Sequence, residues 1–398
     1  MKFKLSFVTL MLLCCALVSY SQLPETIFVK PDRLASVKEK MIAGDATASK
    51  WKKNILKEAD TYLTIEAPSV MNKNQVPPSG NKHDYMSMAP YYWPDSTKPD
   101  FVPYIRKDGQ RNPEIKKITD HSQCDVLTKS VQYLALAYYF SGEEKYAVKA
   151  TQLLNTWFFD PATKMNPNLN YAQAIKGVND GRGTGLIETI SFSNLLNTVG
   201  LLDGSKAWTL ADKNNLKQWF SDYLTWMLES KNGKDEHKAK NNHGIWYDMQ
   251  IVAIELYLGK NEMAKEFLQT TYNRIAVQIE PDGKMPLELV RTAALGYNTF
   301  CIEAWFKTAN MADRLGVDFW NYATTDGRSL KNAFNWLIPY ALGDKKWEYL
   351  QIHKYSKKQI YAMLLQASAK YKEPIYAASA ARLKPTESNT LIEIFYGN

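Results

Sequence analysis

Apolar residues recur along much of the chain with the period of an amphipathic α-helix. Two runs show the spacing i, i+4, i+7, i+11: Leu127, Val131, Leu134, Tyr138 and Ile245, Met249, Val252, Leu256. This spacing puts the apolar side chains on one face of a helix. The strict alternation typical of half-buried strands is scarce. The pattern therefore predicts an all-α protein.

Three glycines mark the ends of such apolar runs and are followed by charged residues. Gly142, Gly259 and Gly343 each stand between two amphipathic stretches. Glycine commonly ends a helix, so each predicts the turn of an αα-hairpin. Two helices and their turns use roughly 50 residues. We therefore predict an (α/α) toroid, or incomplete barrel, of about six to seven helical hairpins around a cleft.

Two segments depart from the helical period. Residues 67–119 are rich in Pro, Gly, Asn and Tyr, and residues 166–182 form a second polar stretch. Long ordered loops on a rigid scaffold often carry function. We expect these irregular loops to line the cleft.

The N-terminus has the composition of a secretory signal. Residues 1–21 contain two lysines, an apolar run and then the small residues Ser19 and Ser21, which predicts a cleaved signal peptide. We expect export to the bacterial periplasm. Residues 22–398 are predicted to form a single domain, and no later stretch is apolar and long enough to span a membrane.

The charge is mildly basic and mixed in sign, with 49 Lys and Arg against 41 Asp and Glu. No arginine-rich tract or aromatic RNA-binding signature is present, so a nucleic-acid partner is not expected. The mildly basic charge is compatible with an anionic polysaccharide as ligand. The many aromatic side chains can stack on sugar rings. Cys124 and Cys301 do not make a disulfide framework. Two buried thiols are expected, although pairing stays open.

Two short stretches carry groups suited to β-elimination of a uronate: NNHG at 241–244 and LELVRTAALGY at 287–297. Removing the C5 proton requires that charge on the C6 carboxylate be neutralised, which suits the Asn242 amide and the Arg291 guanidinium. Tyr297 and His243 can move the protons if a nearby cation lowers the tyrosine pKa. No metal-ligand spacing is present, so no metal or other cofactor is predicted.

These motifs, taken together, resemble the alginate lyase superfamily. They are NNHG, the Arg291/Tyr297 pair, KHDYMSMAPYYWPD (82–95), PYIRKDGQRNPE (103–114), MNPNLNYAQAIKG (165–177) and GRGTGLIE (181–188). The chain is similar to polysaccharide lyase family 38 and, more distantly, to family 5, over about residues 69–342. The resemblance implies an (α/α) toroid, a secreted or periplasmic enzyme and metal-free β-elimination.

The resemblance also implies roles for individual residues. His243 and Tyr297 match the catalytic His and Tyr, and Asn242 and Arg291 match the carboxylate neutralisers. Two departures stand out: Gly244 follows the histidine where family 5 has serine, and Arg291 precedes Tyr297 by six residues instead of seven. Six residues offset two side chains by about 120° on a helix. We therefore expect Arg291 at the entry of the helix.

Further residues are candidates for substrate binding. Aromatic rings can stack on sugars, and cations can pair with uronate carboxylates. Asn242 can instead cap the helix, which would leave Asn241 facing the substrate. The candidate substrate contacts are Asn241, Lys82, His83, Tyr85, Tyr91, Trp93, Arg182 and Trp246.

The leading interpretation is a lyase of β-1,4-linked polyuronate, with mannuronate-rich alginate favoured and glucuronan as the alternative. Mannuronate and glucuronate share the C4–C5 relation, so one tyrosine can serve as base and acid. Guluronate is inverted at C5 and needs two groups, His243 as base and Tyr297 as acid.

Two other classes of protein stay open from the sequence. A toroid glycoside hydrolase needs two carboxylates about 5–10 Å apart, for which Glu188, Asp248 and Glu288 are candidates, although Glu188 and Asp248 more readily suit structural pairing with a cation. A non-catalytic glycan-binding protein would need only the aromatic loops. The sequence does not indicate the oligomeric state.

Overall fold

The computed structural model describes residues 23–383 and 389–397. The predicted signal peptide, residues 1–21, lies outside this range. Its cleavage, periplasmic export and the single-domain boundary at residue 22 therefore stay predictions. In the described part of the chain, no helix is long and apolar enough to cross a membrane.

Helices dominate the structure. They are α1 (Pro31–Ile42), α2 (Ala46–Tyr62), α3 (Asp120–Ser141), α4 (Glu144–Leu154), α5 (Phe192–Val199), α6 (Leu210–Glu229), α7 (Lys231–His237), α8 (Asn242–Tyr257), α9 (Asn261–Gln278), α10 (Pro286–Leu289), α11 (Ala294–Arg314), α12 (Leu330–Leu342), α13 (Lys358–Tyr371), α14 (Pro374–Ala381) and α15 (Thr390–Tyr396). Short 3-10 helices cover Val70–Asn72, Pro113–Lys117, Gly183–Thr189 and Gly200–Leu202, and a π-helical turn covers Asn155–Phe159.

Strands are short and lie in the loops. They are β1 (Met86–Met88), β2 (Tyr92–Trp93), β3 (Ile105–Arg106) and β4 (Tyr171–Ala174). β1 pairs with β4 in parallel, and β2 pairs with β3 in an antiparallel arrangement. The first pair joins the two loop segments that the sequence predicts to be irregular.

The helices are arranged as an (α/α) toroid, which confirms the predicted fold class. α3 packs against α5, α5 against α8, α8 against α11, and α11 against α13. α15 contacts both α13 and α2, and α2 contacts α3, so the succession of contacts returns to its start. α4, α9, α12 and α14 pack against α3, α8, α11 and α13, respectively. Almost every residue of α8 is buried, as expected for a helix enclosed by others.

Two of the three predicted hairpin turns are confirmed. Gly142 ends α3 in the left-handed conformation, with φ of 74°, and Gly259 has φ of 75° between α8 and α9. Gly343 also ends its helix, α12, but residues 344–357 that follow are outside any helix. Trp347 in this segment packs against Trp336 and Tyr340 of α12, with ring centroids 5.9 and 5.4 Å away. These aromatic contacts hold the segment beside α12 without a second helix.

The long segment 67–119 is irregular, as predicted, and a buried ion pair fixes it to the toroid. Lys73 Nζ lies 3.0 Å from the Asp120 carboxylate, and both side chains are fully buried. The same ammonium donates to the carbonyl oxygens of Val70 and Lys82, each at 2.7 Å. Because Asp120 is the first residue of α3, the pair anchors the loop at the start of that helix.

The two cysteines that follow the predicted signal peptide are not paired. Cys124 in α3 and Cys301 in α11 are buried free thiols. The expectation of two buried thiols is therefore confirmed.

Candidate active site

A cleft of about 730 Å³ opens where the first turns of α3, α8 and α11 meet residues 89–112, here called the bridging loop. Its walls also include the Gly183–Thr189 helix. Seven of the twelve predicted site residues line it: Tyr91, Arg182, Asn241, Asn242, His243, Arg291 and Tyr297. The structure thus brings all four predicted catalytic side chains to one cleft.

His243 is the second residue of α8 and is oriented by a buried carboxylate. Asn241 caps the helix, and its side-chain oxygen accepts a hydrogen bond from the His243 backbone N–H at 3.3 Å. His243 Nδ1 lies 2.6 Å from Glu236 Oε1, and the Glu236 side chain is only 2% exposed. Because an ionised carboxylate only accepts, a neutral imidazole in this contact carries its hydrogen on Nδ1 and its lone pair on Nε2. This arrangement suits His243 to accept a proton at Nε2.

Asn242 is the first residue of α8 and is held by Glu288. Its backbone N–H donates to Glu288 Oε1 at 2.6 Å, and its Nδ2 donates to Oε2 at 2.7 Å. Burial raises the pKa of Glu288, and the two bonds from Asn242 oppose that shift. Asn241, and not Asn242, is therefore the cap, and one of the two Nδ2 hydrogens of Asn242 is donated to Glu288.

The glycine after His243 is required by a close approach. A Cβ at Gly244 would lie 2.1 Å from the Ala239 carbonyl oxygen and 2.2 Å from Arg274 Nη1. Arg274 Nε pairs with the buried Asp248 at 2.5 Å, and Nη1 donates to the Ala239 carbonyl at 2.8 Å. The departure from serine at this position thus follows from the arginine that crosses α8. Asp248 is a structural partner of an arginine, as expected.

Arg291 lies before α11, as predicted from its spacing to Tyr297. Its guanidinium carbon lies 3.6 Å from the centroid of the Tyr297 ring, a cation–π contact. The guanidinium also binds Asp108 through Nη2 to Oδ1 at 2.7 Å and Nε to Oδ2 at 3.0 Å. Although burial opposes it, the hydrogen bonds from Arg291 and from the Thr292 N–H lower the pKa of Asp108. Asp108 thus stays ionised and balances the guanidinium charge.

Tyr297 keeps its proton in this environment. Its hydroxyl donates to the Tyr91 hydroxyl at 2.9 Å. Burial raises the pKa of Tyr297, Tyr91 adds to the shift, and Arg291 only partly offsets it. The expectation that a cation lowers this pKa is wrong here, because burial dominates and Arg291 shares its charge with Asp108.

The cleft carries more positive than negative side chains. The cations among its lining residues are Arg106, Arg111, Arg182, Lys240 and Arg291, and the carboxylates are Asp125 and Glu188. Arg182 donates to the Gln173 side chain at 2.8 Å, and its guanidinium carbon lies 5.1 Å from the centroid of the Tyr92 ring. Burial lowers the pKa of Arg182. The excess of cations suits a polyanionic ligand.

Two predicted substrate contacts of the 82–95 motif hold the loop instead of lining the cleft. Lys82 Nζ donates to the Met71 carbonyl at 3.0 Å. His83 Nδ1 lies 2.6 Å from the Lys164 carbonyl oxygen. Each contact ties one loop segment to another.

Three predicted aromatic contacts are also absent from the cleft lining. Tyr85 is fully buried, and its hydroxyl donates to Glu188 Oε2 at 2.7 Å. Trp93 donates from Nε1 to the Gln110 carbonyl at 2.8 Å within the bridging loop. Trp246, 1% exposed, lies within the core of the toroid. Each ring packs a loop or helix against its neighbours.

Sequence reasoning missed residues that hold or line the site. They include Glu236, Asp108, Arg106, Arg111 and Lys240, and Glu288, named only as a candidate for a hydrolase, was not expected to hold Asn242. Asp108, Arg106 and Arg111 lie inside the 103–114 motif, whose family match was the available signal. Across residues 23–383 and 389–397, no three His, Cys, Asp or Glu residues cluster in a way that would hold a metal ion.

Comparisons with known proteins agree with this fold. The family model described as alginate lyase matches residues 69–347. The structure of an alginate lyase from Bacteroides ovatus is 43% identical, with a TM-score of 0.90, and the match covers 94% of this chain and 99% of that one. A variant of alginate lyase A1-III complexed with a tetrasaccharide is 14% identical, with a TM-score of 0.51 over 80% of this chain and 87% of that one; this likeness concerns the fold alone. No curated protein sequence gave a match.

Proposed function

Since the chain belongs to the alginate lyase family and is a polysaccharide lyase, we propose that it cleaves alginate by β-elimination, with mannuronate-rich polymer as its expected substrate. The observation that carries the proposal is one cationic cleft lined by His243, Asn242, Arg291 and Tyr297. The products would carry a 4,5-unsaturated uronate at the new end.

The first step is neutralisation of the C6 carboxylate, which makes the C5 proton easier to remove. The second Nδ2 hydrogen of Asn242 is available for this purpose. Arg291 engages Asp108 through Nε and Nη2, which leaves Nη1 for the substrate. Hydrogen bonds from these groups strengthen as charge builds on the carboxylate, and this differential stabilisation lowers the barrier.

Proton transfer depends on the configuration at C5. For guluronate, His243 Nε2 takes the C5 proton, the C4–O4 bond breaks, the C4–C5 double bond forms, and Tyr297 protonates O4. The raised pKa of Tyr297 favours this role, since the phenol stays protonated until it donates. This observation makes guluronate-rich polymer the second candidate substrate.

For mannuronate or glucuronate, H5 and O4 leave from the same side, so Tyr297 acts as both base and acid. The tyrosinate form is then needed, and Arg291, whose guanidinium carbon lies 3.6 Å from the ring centroid, is the group that stabilises it. Burial opposes the tyrosinate. The reaction on these polymers is therefore expected to accelerate as the pH rises.

The test is the ultraviolet absorbance of the unsaturated product on poly-mannuronate, poly-guluronate and glucuronan, measured across a pH series. Wild-type protein should give a rise that His243→Ala and Tyr297→Phe reduce strongly. A rate that increases with pH into the alkaline range indicates the tyrosinate base. A rate that reaches a plateau once the imidazole is neutral indicates His243 as the base. No rise on any polymer would contradict the proposal.

The hydrolase alternative receives less support, because its three candidate carboxylates are engaged. Glu188 accepts hydrogen bonds from Tyr85 and Ser87, at 2.7 and 2.6 Å. Asp248 pairs with Arg274, and Glu288 holds Asn242. A hydrolase would release saturated ends, which a reducing-end assay would detect while the ultraviolet absorbance stayed unchanged.

The predicted signal peptide adds a location to the proposal. We expect the mature chain in the periplasm, where polysaccharide fragments would reach it. Cell fractionation and N-terminal sequencing of the mature protein test both the location and the predicted cleavage after Ser21.

A further inference from the structure

The wall of the cleft formed by α3 carries a carboxylate that the proposed mechanism does not use. Asp125 lines the cleft, and its side chain is 59% exposed. His121, four residues earlier on the same helix face, places Nε2 3.8 Å from Asp125 Oδ2. His121 Nδ1 is buried and has no hydrogen-bond partner among the described residues. The His121 and Asp125 side chains thus keep hydrogen-bonding capacity and both line the cleft.

The surrounding charges make this carboxylate unusual. Glu188, the other carboxylate in the lining, is 8% exposed and already accepts two hydrogen bonds. No Lys or Arg in the described part of the chain lies within 4.0 Å of the Asp125 carboxylate. A carboxylate with only His121 beside it repels the carboxylates of a polyanion in the same cleft. A favourable contact with another part of the sugar would offset this repulsion.

A uronate unit within a 1,4-linked chain offers two hydroxyl donors, at O2 and O3. An ionised carboxylate accepts hydrogen bonds and donates none, and its bonds to hydroxyls are stronger than those of a neutral acceptor. Asp125 therefore complements the hydroxyl edge of a sugar, while the arginines and Lys240 complement the carboxylate edge. The two kinds of wall together can fix which way a sugar faces.

We propose that Asp125, supported by His121, binds the O2 hydroxyl of a uronate in the cleft and selects among uronans. The inference rests on the proposed lyase function. Mannuronate and glucuronate differ only at C2, so the proton-transfer groups do not distinguish them. A charged acceptor beside the hydroxyl edge does, because the sugar with the wrong hydroxyl direction leaves the carboxylate unpaired.

The position of the pair on its helix suits recognition. Asp120, next to His121, is fully buried and paired with Lys73 at 3.0 Å. That ion pair fixes the first turn of α3 against the loop that begins at residue 67. A side chain on a fixed helical turn distinguishes the two orientations of a hydroxyl better than a side chain on a mobile segment does.

The experiment compares Asp125→Ala and Asp125→Asn with Asp222→Ala. Asp222 is exposed on α6 and outside the cleft lining, so its variant removes the same charge elsewhere. For each variant, kcat/KM is measured on poly-mannuronate, poly-guluronate and glucuronan. Asp125→Ala should lose about 10- to 100-fold on the preferred polymer, and the preference over the second-best polymer should shrink. Asp125→Asn, which keeps an acceptor, should lose less, and Asp222→Ala should match wild type.

Three results would overturn the inference. Unchanged or faster cleavage of every polymer by Asp125→Ala would show that the carboxylate makes no favourable contact with the substrate. An equal loss on all polymers would remove the role in selection. Absence of product from wild-type protein would defeat the proposed function itself, and this inference with it. Thermal unfolding of each variant, expected at the wild-type midpoint because Asp125 is exposed, separates recognition from folding.

Discussion

The histidine half and the tyrosine half of the cleft are held by contacts of different range along the chain. His243 is oriented by Glu236, seven residues away, and by the adjacent cap. Arg291 and Tyr297 instead meet Asp108 and Tyr91, which lie 183 and 206 residues away. The contacts that orient His243 come from α7 and the start of α8, which are neighbours in the sequence, whereas the second half is complete only when the bridging loop docks.

The bridging loop docks with Gly109 in close contact with Thr292. Gly109 has φ of 73°, and a Cβ there would lie 2.4 Å from Thr292 Oγ1. The Gly109 carbonyl oxygen lies 2.8 Å from His353 Nε2, on the segment after α12. Thr292 Oγ1 donates to the Asp108 carbonyl at 3.0 Å. The tyrosine half thus depends on three chain segments, and disturbing any of them should affect Arg291 and Tyr297 before it affects His243.

The largest expected effect comes from removing the reacting hydroxyl of the tyrosine half. Tyr297→Phe should lower kcat about 1,000-fold, the range typical of a lost general acid or base. Tyr91→Phe is the matched control: it removes only the hydroxyl that accepts from Tyr297 and should keep most of the activity. If the kcat of Tyr297→Phe stays within tenfold of the wild-type value, proton transfer would be assigned to the histidine half alone.

The next effect tests the orienting contact of the histidine half. Glu236→Gln should lower kcat about 100-fold with little change in KM, because the amide no longer fixes the imidazole with its Nε2 lone pair available. The acidic limb of the pH–rate profile should shift as well, which a purely structural role would not cause. Glu229→Gln, an exposed residue at the end of α6, is the control. An unchanged pH–rate profile would show that Glu236 has only a structural role.

A smaller effect is expected where Asp108 holds Arg291. Asp108→Asn should lower kcat/KM about tenfold and the free energy of unfolding at pH 7 by about 2 kcal/mol, as for a hydrogen-bonded charged group. The pKa of Asp108 is lowered in the folded protein, so the ionised carboxylate stabilises the fold above its unfolded pKa of about 3.9. That contribution is lost as the pH falls through the folded pKa.

Urea unfolding at a series of pH values measures this linkage. The difference between wild type and Asp108→Asn should be full at pH 7 and shrink once the pH falls below about 4. A difference that grows on acidification would contradict the assigned direction of the pKa shift. A variant with wild-type kcat/KM would show that the bridging loop does not position Arg291.

The contrast between the halves explains which parts the sequence made predictable. The helical period, the glycines at 142 and 259 and the start of α8 follow from local rules, but the cap of α8 is Asn241 and not Asn242. The family motifs, which are short and contiguous, make His243 and Tyr297 candidates for catalysis, and both residues line the cleft. The helix after Gly343 was expected on the same local grounds, but aromatic packing against α12 overrides them.

Long-range contacts account for what the sequence did not indicate. Nothing local to Asp108 or Tyr91 shows that they will meet Arg291 and Tyr297 on the far side of the cleft. The same limit applies to Lys82 and Tyr85, whose polar groups suit a substrate equally well until the structure shows their carbonyl or carboxylate partners. The pKa of Tyr297 was likewise assigned from its neighbour alone, whereas burial decides its direction.

The smallest effect on activity is expected from a pair of glycine substitutions, one in each half. Gly244 follows His243 and Gly296 precedes Tyr297, each in the first turn of its helix. A Cβ at Gly244 would collide with the Ala239 carbonyl and Arg274, at 2.1 and 2.2 Å. Gly244→Ala should therefore lower the free energy of unfolding by about 1–3 kcal/mol and reduce kcat a few-fold.

Gly296 has room where Gly244 has none. A Cβ there meets nothing closer than Gln351 Nε2, at 4.0 Å. Gly296→Ala should leave stability unchanged or raise it by up to about 1 kcal/mol, because alanine favours a helix over glycine. Denaturant unfolding of both variants decides the comparison. If the two variants change the free energy of unfolding equally, Arg274 does not make the histidine half the more tightly packed one. If Gly244→Ala lowers the free energy of unfolding and Gly296→Ala raises it, Arg274 does.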